Sequence, residues 1–400
     1  MEVSSGLERL GTDGTAQNNP RDQSLIPEIF RKRVTTEVAN ASERQTLDLI
    51  RREPQITRAE IGRRIGLTGM SMTRIIDSLE QRGLVRATGR TGTGRGPKIG
   101  LELVAGAAYS IGVSIKADAI VLALVDFLGN QLGEFRQPVD AGTMKLDVDA
   151  IAELLHRFIQ EGLRDRSRLF GIGIAITGFF IGSGLKVNPP GKLDDLALVD
   201  IDLALTERLG LPVWLDNDGN AAAEAEAMLG VGRTVKNFAY FYFSTGFGGG
   251  IIHEGRLLRG RNGNAGEFAG AIPLEGYMHP NLENLRQLQN QRGSDFATVS
   301  QMLDHFDPAW PSIDAWLHKT APALNIAVSA ASAVLDPDVI VLGGQLPTAL
   351  AERIIPMIAF SSVPRRGYIR PVPKVVPAQV VVEPALLGAA ALPLRAHFFG

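Results

Sequence analysis

Cysteine is absent from this chain of 400 residues, and histidine occurs only six times. No disulfide, thiol nucleophile or cysteine-ligated zinc can form, and little is left for any other metal. The expectation is a protein with no metal and no cofactor. Long apolar runs are also missing. The longest, residues 171–182, is about a dozen residues interrupted by glycines, against the ~20 that span a bilayer. Residues 1–19 are polar and carry no apolar h-region, which predicts neither signal peptide nor anchor, a cytoplasmic location and no membrane partner. What is present is 45% hydrophobic content. At this length that fills the cores of about two or three domains and excludes a disordered or fibrous chain.

The net charge is −2, but the signs are unevenly placed. Between residues 44 and 98 there are twelve basic residues against five acidic, a local charge of +7 that leaves −9 for the rest. A basic module on an acidic body suits a polyanionic partner for that module alone. A solvated charged surface would have the same composition, so the helix pattern decides. Leu47 and Ile50, Ile61 and Ile65, and Ile75, Ile76 and Leu79 keep helical spacing and predict three short amphipathic helices, capped by Ser42, Thr57 and Thr68. Residues 66–69 fit the tight turn of a helix-turn-helix. Residues 69–82 then form the recognition helix, with Met70, Ser71, Met72, Thr73 and Arg74 toward base edges or phosphates.

Two short strands, 84–86 and 99–103, flank a Gly- and Arg-rich wing at 88–97. There Arg90 and Arg95, with Lys98 beside them, can neutralise phosphates or enter the minor groove. Residues 41–104 are expected to be a winged helix-turn-helix that binds a double-stranded DNA operator, although the same fold can serve as a protein-binding module. Residues 1–40, rich in Ser, Thr, Asn, Gly and charge, read as a flexible arm holding a short helix at 28–38.

The remainder, residues 108–400, reads as a duplicated α/β domain. Strand patterns at 109–115, 119–127 and 131–139 precede a helix at 148–164 and a strand at 170–176. The order recurs with strands at 238–244 and 249–253, a helix at 313–335 and a strand at 339–342. Two such halves imply two lobes and a cleft, the usual place for a small-molecule site.

Four motifs then carry a resemblance. Pro212-Val-Trp-Leu-Asp-Asn-Asp-Gly-Asn-Ala-Ala-Ala223, Ser244-Thr-Gly-Phe-Gly-Gly-Gly-Ile251, Gly263-Asn-Ala-Gly-Glu-Phe268 and Asp336-Pro-Asp-Val-Ile-Val-Leu-Gly-Gly344 follow one another in this order. Together they closely resemble the ROK (repressor, open reading frame, kinase) family of sugar kinases and sugar-responsive repressors. A winged helix in front resembles the repressor branch, which includes xylose and N-acetylglucosamine repressors. The resemblance implies an α/β fold class: a winged helix-turn-helix followed by a two-lobed, actin-like (sugar kinase/Hsp70-like) ATPase-type fold with sugar in the cleft. It also implies that Asp218 occupies the general-base position and that Asn217, Asn264, Glu267 and, across a divergent loop, Glu283 are sugar ligands. Carboxylates and amides suit paired hydroxyls. The plain structural alternative is that Asp218 only caps the following helix.

The chemistry departs from the family's kinases at two places. Where they open with Asp-x-Gly-Gly-Thr-Lys, this chain reads Ser114-Ile-Lys-Ala-Asp-Ala119, without the acid, glycine pair or hydroxyl that approach nucleotide phosphates. Asp118 also adds a negative charge there. Where they carry Gly-His and a cysteine cluster, Ala269-Gly270 and a cysteine-free loop at 273–281 stand instead, so His279 reads as a loop residue. The expectation is a regulator, read as a repressor, with no catalytic residue and a vestigial base at Asp218. Its partners would be an operator, a sugar or sugar-phosphate effector, and a second copy in a homodimer or tetramer. The rivals are an active ATP-dependent sugar kinase with an appended DNA-binding domain, and a scaffold with both sites vestigial.

Overall fold

The computed structural model describes residues 38–91, 98–139, 146–163, 165–182, 185–361 and 363–400. The predicted arm with its helix at 28–38 and the wing tip with Arg95 lie outside the described residues, apart from Val38 to Asn40.

The head is built as the periodicity predicts, from α1 (Ala41–Arg52), β1 (Ile56–Thr57), α2 (Arg58–Ile65), α3 (Gly69–Gln81), β2 (Val85–Thr91) and β3 (Lys98–Leu103). Thr57 and Thr68 cap α2 and α3 through their side chains. The first cap is Asn40, not Ser42. Its side chain accepts from the Glu43 amide while Glu43 reaches back to the Asn40 amide, a reciprocal pair that starts the helix two residues before Ser42. Gly66 ends α2 at φ 71°, a left-handed conformation that lets the chain turn sharply into α3. Leu47, Ile50, Ile61, Met72, Ile76 and Leu79 interlock as the head's core.

The body repeats one plan twice. The first lobe comprises β4 (Tyr109–Ile115), β5 (Ala119–Asp126), β6 (Gln131–Pro138), α4 (Val148–Gly162), β7 (Leu169–Ile176), the small hairpin β8 (Phe179–Ile181) and β9 (Lys186–Asn188), α5 (Ile201–Leu209) and β10 (Val213–Asn217). The helix α6 (Asp218–Leu229) leaves its last strand. The second lobe comprises β11 (Phe238–Phe243), β12 (Phe247–His253), β13 (Arg256–Leu257), α7 (Leu282–Asn290), α8 (Val299–Asp304), α9 (Pro311–Leu335), β14 (Val339–Gly344), α10 (Thr348–Ile354) and β15 (Lys374–Pro377), and α11 (Pro384–Phe398) leaves it.

The sheets run β10-β7-β4-β5-β6 and β13-β12-β11-β14-β15. In each, the first three strands form an antiparallel meander and the last two add in parallel. The third strand of the second meander, β13, is two residues long and carries too little pattern to be seen in sequence. In α9, Ala323, Leu324, Ala327, Val328 and Ala331 are core residues of the second lobe.

The helices α6 and α11 are exchanged between the halves. Each follows the last strand of one sheet and packs on the other: α6 on β11 and β12, α11 on β4, β5 and β7. The two cross at Gly388, where an added Cβ would lie 1.7 Å from the Ala221 carbonyl oxygen. At Gly173 a Cβ would lie 1.8 Å from the Ala389 carbonyl oxygen. Small residues are what permit backbones to approach this closely. Both helix N-termini open on the space between the lobes.

Candidate functional site

The first doorway to that space is the passage from β10 to α6. Asn217 is the cap of α6: its Oδ1 accepts from the amides of Gly219 and Asn220, and its Nδ2 donates to the Gly178 carbonyl at 2.5 Å. Its carboxamide is largely engaged in positioning the chain. The helix is therefore capped without Asp218, whose own Oδ1 accepts from the Gly219 amide at 2.9 Å. Asp218 Oδ2 accepts the Thr177 hydroxyl at 2.8 Å. Beneath them, fully buried Asp216 accepts from the Asn217 amide and from Asn220 Nδ2, and its other oxygen lies 2.6 Å from Arg259 Nη1 of the second lobe.

Glu267 enters the same space from the second lobe. Burial raises the Asp218 carboxyl to about 6. Burial first, and the charge of Asp218 second, raise Glu267 to about 7. Two buried carboxyls, one raised further by the charge of the other, form a proton-poised pair, good at accepting hydroxyl protons. Asn264 braces this loop: its Oδ1 accepts from the Phe180 amide at 2.8 Å and its Nδ2 donates to the Phe180 carbonyl at 2.9 Å, tying the lobes together. Glu283 is turned to another use. In the first turn of α7 it is gripped by Arg286, at 2.5 and 2.8 Å, and by Gln287, which lowers its pKa. No interaction among the described residues joins it to Asp218 or Glu267. Sequence reasoning missed Thr177, a hydroxyl at the end of a buried strand just before Gly178.

The second doorway is the passage from β15 to α11. Here Glu383, at φ 42°, stands just before Pro384. Its carboxylate takes Lys116 Nζ at 2.6 Å and Arg136 Nη2 at 2.5 Å. Lys116 lies in the β4–β5 turn, where phosphate-binding glycines were missing from the sequence, and its charge is felt at Asp218. The other phosphate-like turn closes on itself: the Gly246 amide donates to Ser244 Oγ and the Ser244 amide to the Gly246 carbonyl. Among the described residues no three His, Asp or Glu side chains gather to hold a metal ion.

On the head, α3 presents Met70, Thr73 and Arg74 outward. Met72 does not face out as expected; it is 2% exposed and packs in the core, because it falls on the Ile76 and Leu79 stripe. Ser71 is half-buried and accepts from Thr68 Oγ1, and Thr73 Oγ1 donates to the Gly69 carbonyl. Most of the head's arginines are spent internally: Arg51 and Arg52 on Asp48, Arg58 on Asp77 and Glu80, Arg63 and Arg64 on Glu60, Arg82 on Glu43, Arg86 on Glu102. Arg74 has no ion pair or hydrogen bond among the described residues. Arg90 is the last but one residue of β2 and Lys98 opens β3, and the two strands pair across the wing's base.

Head and cleft are mechanically joined. Both exchanged helices start at a doorway and end in the head's core, through Met228 and Leu229 on α6 and Phe398 and Phe399 at the end of α11. Arg51 of α1 clasps both ends. Its guanidinium donates to the Met228 carbonyl and lies 5.5 Å from the Phe399 ring centroid.

Comparison with known proteins agrees with this architecture. A model of the ROK family matches residues 110–282, and one of the MarR family matches residues 40–96. The two matched stretches follow one another in the order of the head and the first part of the body. An uncharacterized protein, y4fQ, of Sinorhizobium fredii is 26% identical over 366 residues, 90% of this chain and 92% of that protein. The xylose repressor of Bacillus spizizenii is 28% identical over 251 residues, 62% of this chain and 61% of that protein. The crystal structure of a ROK family transcriptional regulator, described as a homolog of E. coli MLC protein, superposes with a TM-score of 0.65 at 21% identity, covering 94% of this chain and 97% of that one. That likeness shows the fold of head and body together. No helix among the described residues is long and apolar enough to cross a membrane.

Proposed function

We propose that this chain is a sugar-responsive DNA-binding transcriptional repressor whose ROK domain binds its effector between the lobes and transfers no phosphoryl group. The observation that carries the reading is the contrast between the doorways. Asp218 and Glu267 face each other with Thr177 beside them, while Glu383 is already neutralised by Lys116 and Arg136. Phosphoryl transfer needs cations and backbone amides free to hold phosphates, and on this side the two cations hold a carboxylate of the chain instead. The likeness to a xylose repressor supports the regulatory reading, and the unpaired Arg74 supports a DNA-facing head.

Response follows from the exchanged helices. A sugar that draws Glu267 and Asp218 together biases one arrangement of the lobes, and α6 and α11 carry that bias to Arg51 and the head. The effector has to bind one arrangement more tightly than the other, since equal affinity shifts nothing. In a homodimer, a changed spacing of two recognition helices costs the fit to two half-sites.

An active kinase is the rival reading, favoured by Asp218 itself, whose carboxyl near 6 suits a general base. The test is selection of bound genomic fragments by the full-length chain, followed by release with a panel of pentoses, hexoses and their phosphates. The proposal expects enriched fragments that one sugar class releases, without ATP. Absence of enrichment, or release only when ATP and sugar are supplied together, contradicts it.

A further inference from the structure

We infer that Met70 and Arg74 are the pair through which the head reads sequence, Met70 packing against the C5-methyl of a thymine and Arg74 bonding the O6 and N7 edge of a guanine. The inference rests on the proposed DNA-binding role and narrows the outward face of α3 to two side chains. Of the residues that open this helix, Met72 is buried, the Ser71 hydroxyl is held by Thr68, and the Thr73 hydroxyl is returned to the Gly69 carbonyl. Gly69 has no side chain. Among the described residues at this end, Met70 and Arg74 are the exposed long side chains that no hydrogen bond or ion pair holds.

Met70 is 71% exposed, on a helix whose other large apolar residues are buried or half-buried. An unbranched thioether is adaptable and apolar, and the only apolar group on a base edge in the major groove is the thymine methyl. Arg74 has no acid partner among the described residues, and guanine offers two acceptors in the spacing of its fork. The two residues are one helical turn apart, about 6 Å along the axis, which corresponds to roughly two base-pair steps. The reading therefore specifies a thymine and a guanine within about two steps of each other in each half-site.

The experiment is selection from a randomised duplex library with the full-length chain, then resynthesis of the selected duplex with uracil for each thymine and 7-deazaguanine for each guanine. Wild type is expected to lose about 5- to 100-fold affinity at one deazaguanine and several-fold at one uracil. Met70→Ala keeps the guanine dependence and loses the uracil dependence. Arg74→Lys keeps the charge and the salt dependence but loses the guanine dependence. Both side chains are exposed, so the variants should melt with the wild type. If wild type enriches no sequence, the DNA-binding reading itself fails. If it does and both variants enrich the same sequence with the same analogue sensitivities, only the assignment of these two residues is overturned.

Discussion

The two lobes place a carboxylate at matching points, where the chain leaves the last strand of each sheet for an exchanged helix, and use it in opposite ways. Asp218 is buried, bonded to Thr177 and a neighbouring amide, and raised to about 6. Glu383 is pinned between Lys116 and Arg136. One doorway keeps an acid with no cation paired to it among the described residues, which a polyol can use; the other is neutralised by the chain. The same duplicated backbone can thus hold an open half-site and a self-closed one, and the side chains at the doorway decide which. That is why the fold alone does not settle function.

The comparison breaks most completely if the helices that frame both doorways cannot cross. Gly388→Val drives side-chain atoms into the Ala221 backbone and should cost at least about 3 kcal/mol, read as a large fall in the urea midpoint. Next in size is Asp218→Asn. A carboxyl whose folded pKa is raised favours the fold when protonated, and that contribution is lost as pH climbs from its unfolded value near 4 through the folded value near 6. Unfolding free energy of the unliganded chain should therefore fall by roughly 2 kcal/mol more in wild type than in Asp218→Asn between about pH 4 and pH 7. A parallel pH profile for the two proteins would remove the perturbed acid from the account.

Glu383→Gln sharpens the contrast from the other side. Leaving Lys116 and Arg136 without their anion should lower stability by about 1–3 kcal/mol while sparing the response to sugar. Equal loss of sugar response would mean the two doorways are one site. The smallest stability effect is expected for Arg51→Leu, about 1 kcal/mol, yet it should uncouple the molecule: sugar affinity stays near wild type, and sugar no longer releases DNA in an anisotropy titration. Retained release would place the coupling elsewhere than at the ends of α6 and α11.

Much of this was legible in residue order. The apolar stripes at 47 and 50, 61 and 65, and 75 to 79 marked the three head helices, and the alternation of strands and turns exposed the duplication. The four motifs that resemble the ROK family pointed to Asp218 and Glu267. The rest escaped for physical reasons. Asn40 displaced Ser42 as a cap because Asn40 with Glu43 and Ser42 with Gln45 offer the same reciprocal pattern two residues apart, and sequence spacing does not rank them. Met72 turned inward because one residue of phase moves a side chain about 100° around a helix. The Glu383 pairs join residues 267 and 247 apart in sequence, and no local pattern announces such a contact. Glu283 was matched through motif order across a divergent loop, and that order carries no information about Arg286 claiming its carboxylate one turn later.

The most direct test of the account is differential scanning fluorimetry of the full-length chain and Asp218→Asn with individual monosaccharides and, separately, with magnesium ATP, alongside a coupled assay for ADP. The account predicts that at least one sugar raises the wild-type Tm, by the equivalent of about 2.7 kcal/mol at a hundred times its Kd. That shift should vanish in Asp218→Asn, and ATP should give neither a shift nor turnover. A Tm raised by magnesium ATP, with sugar-dependent ADP release that Asp218→Asn abolishes, would contradict it.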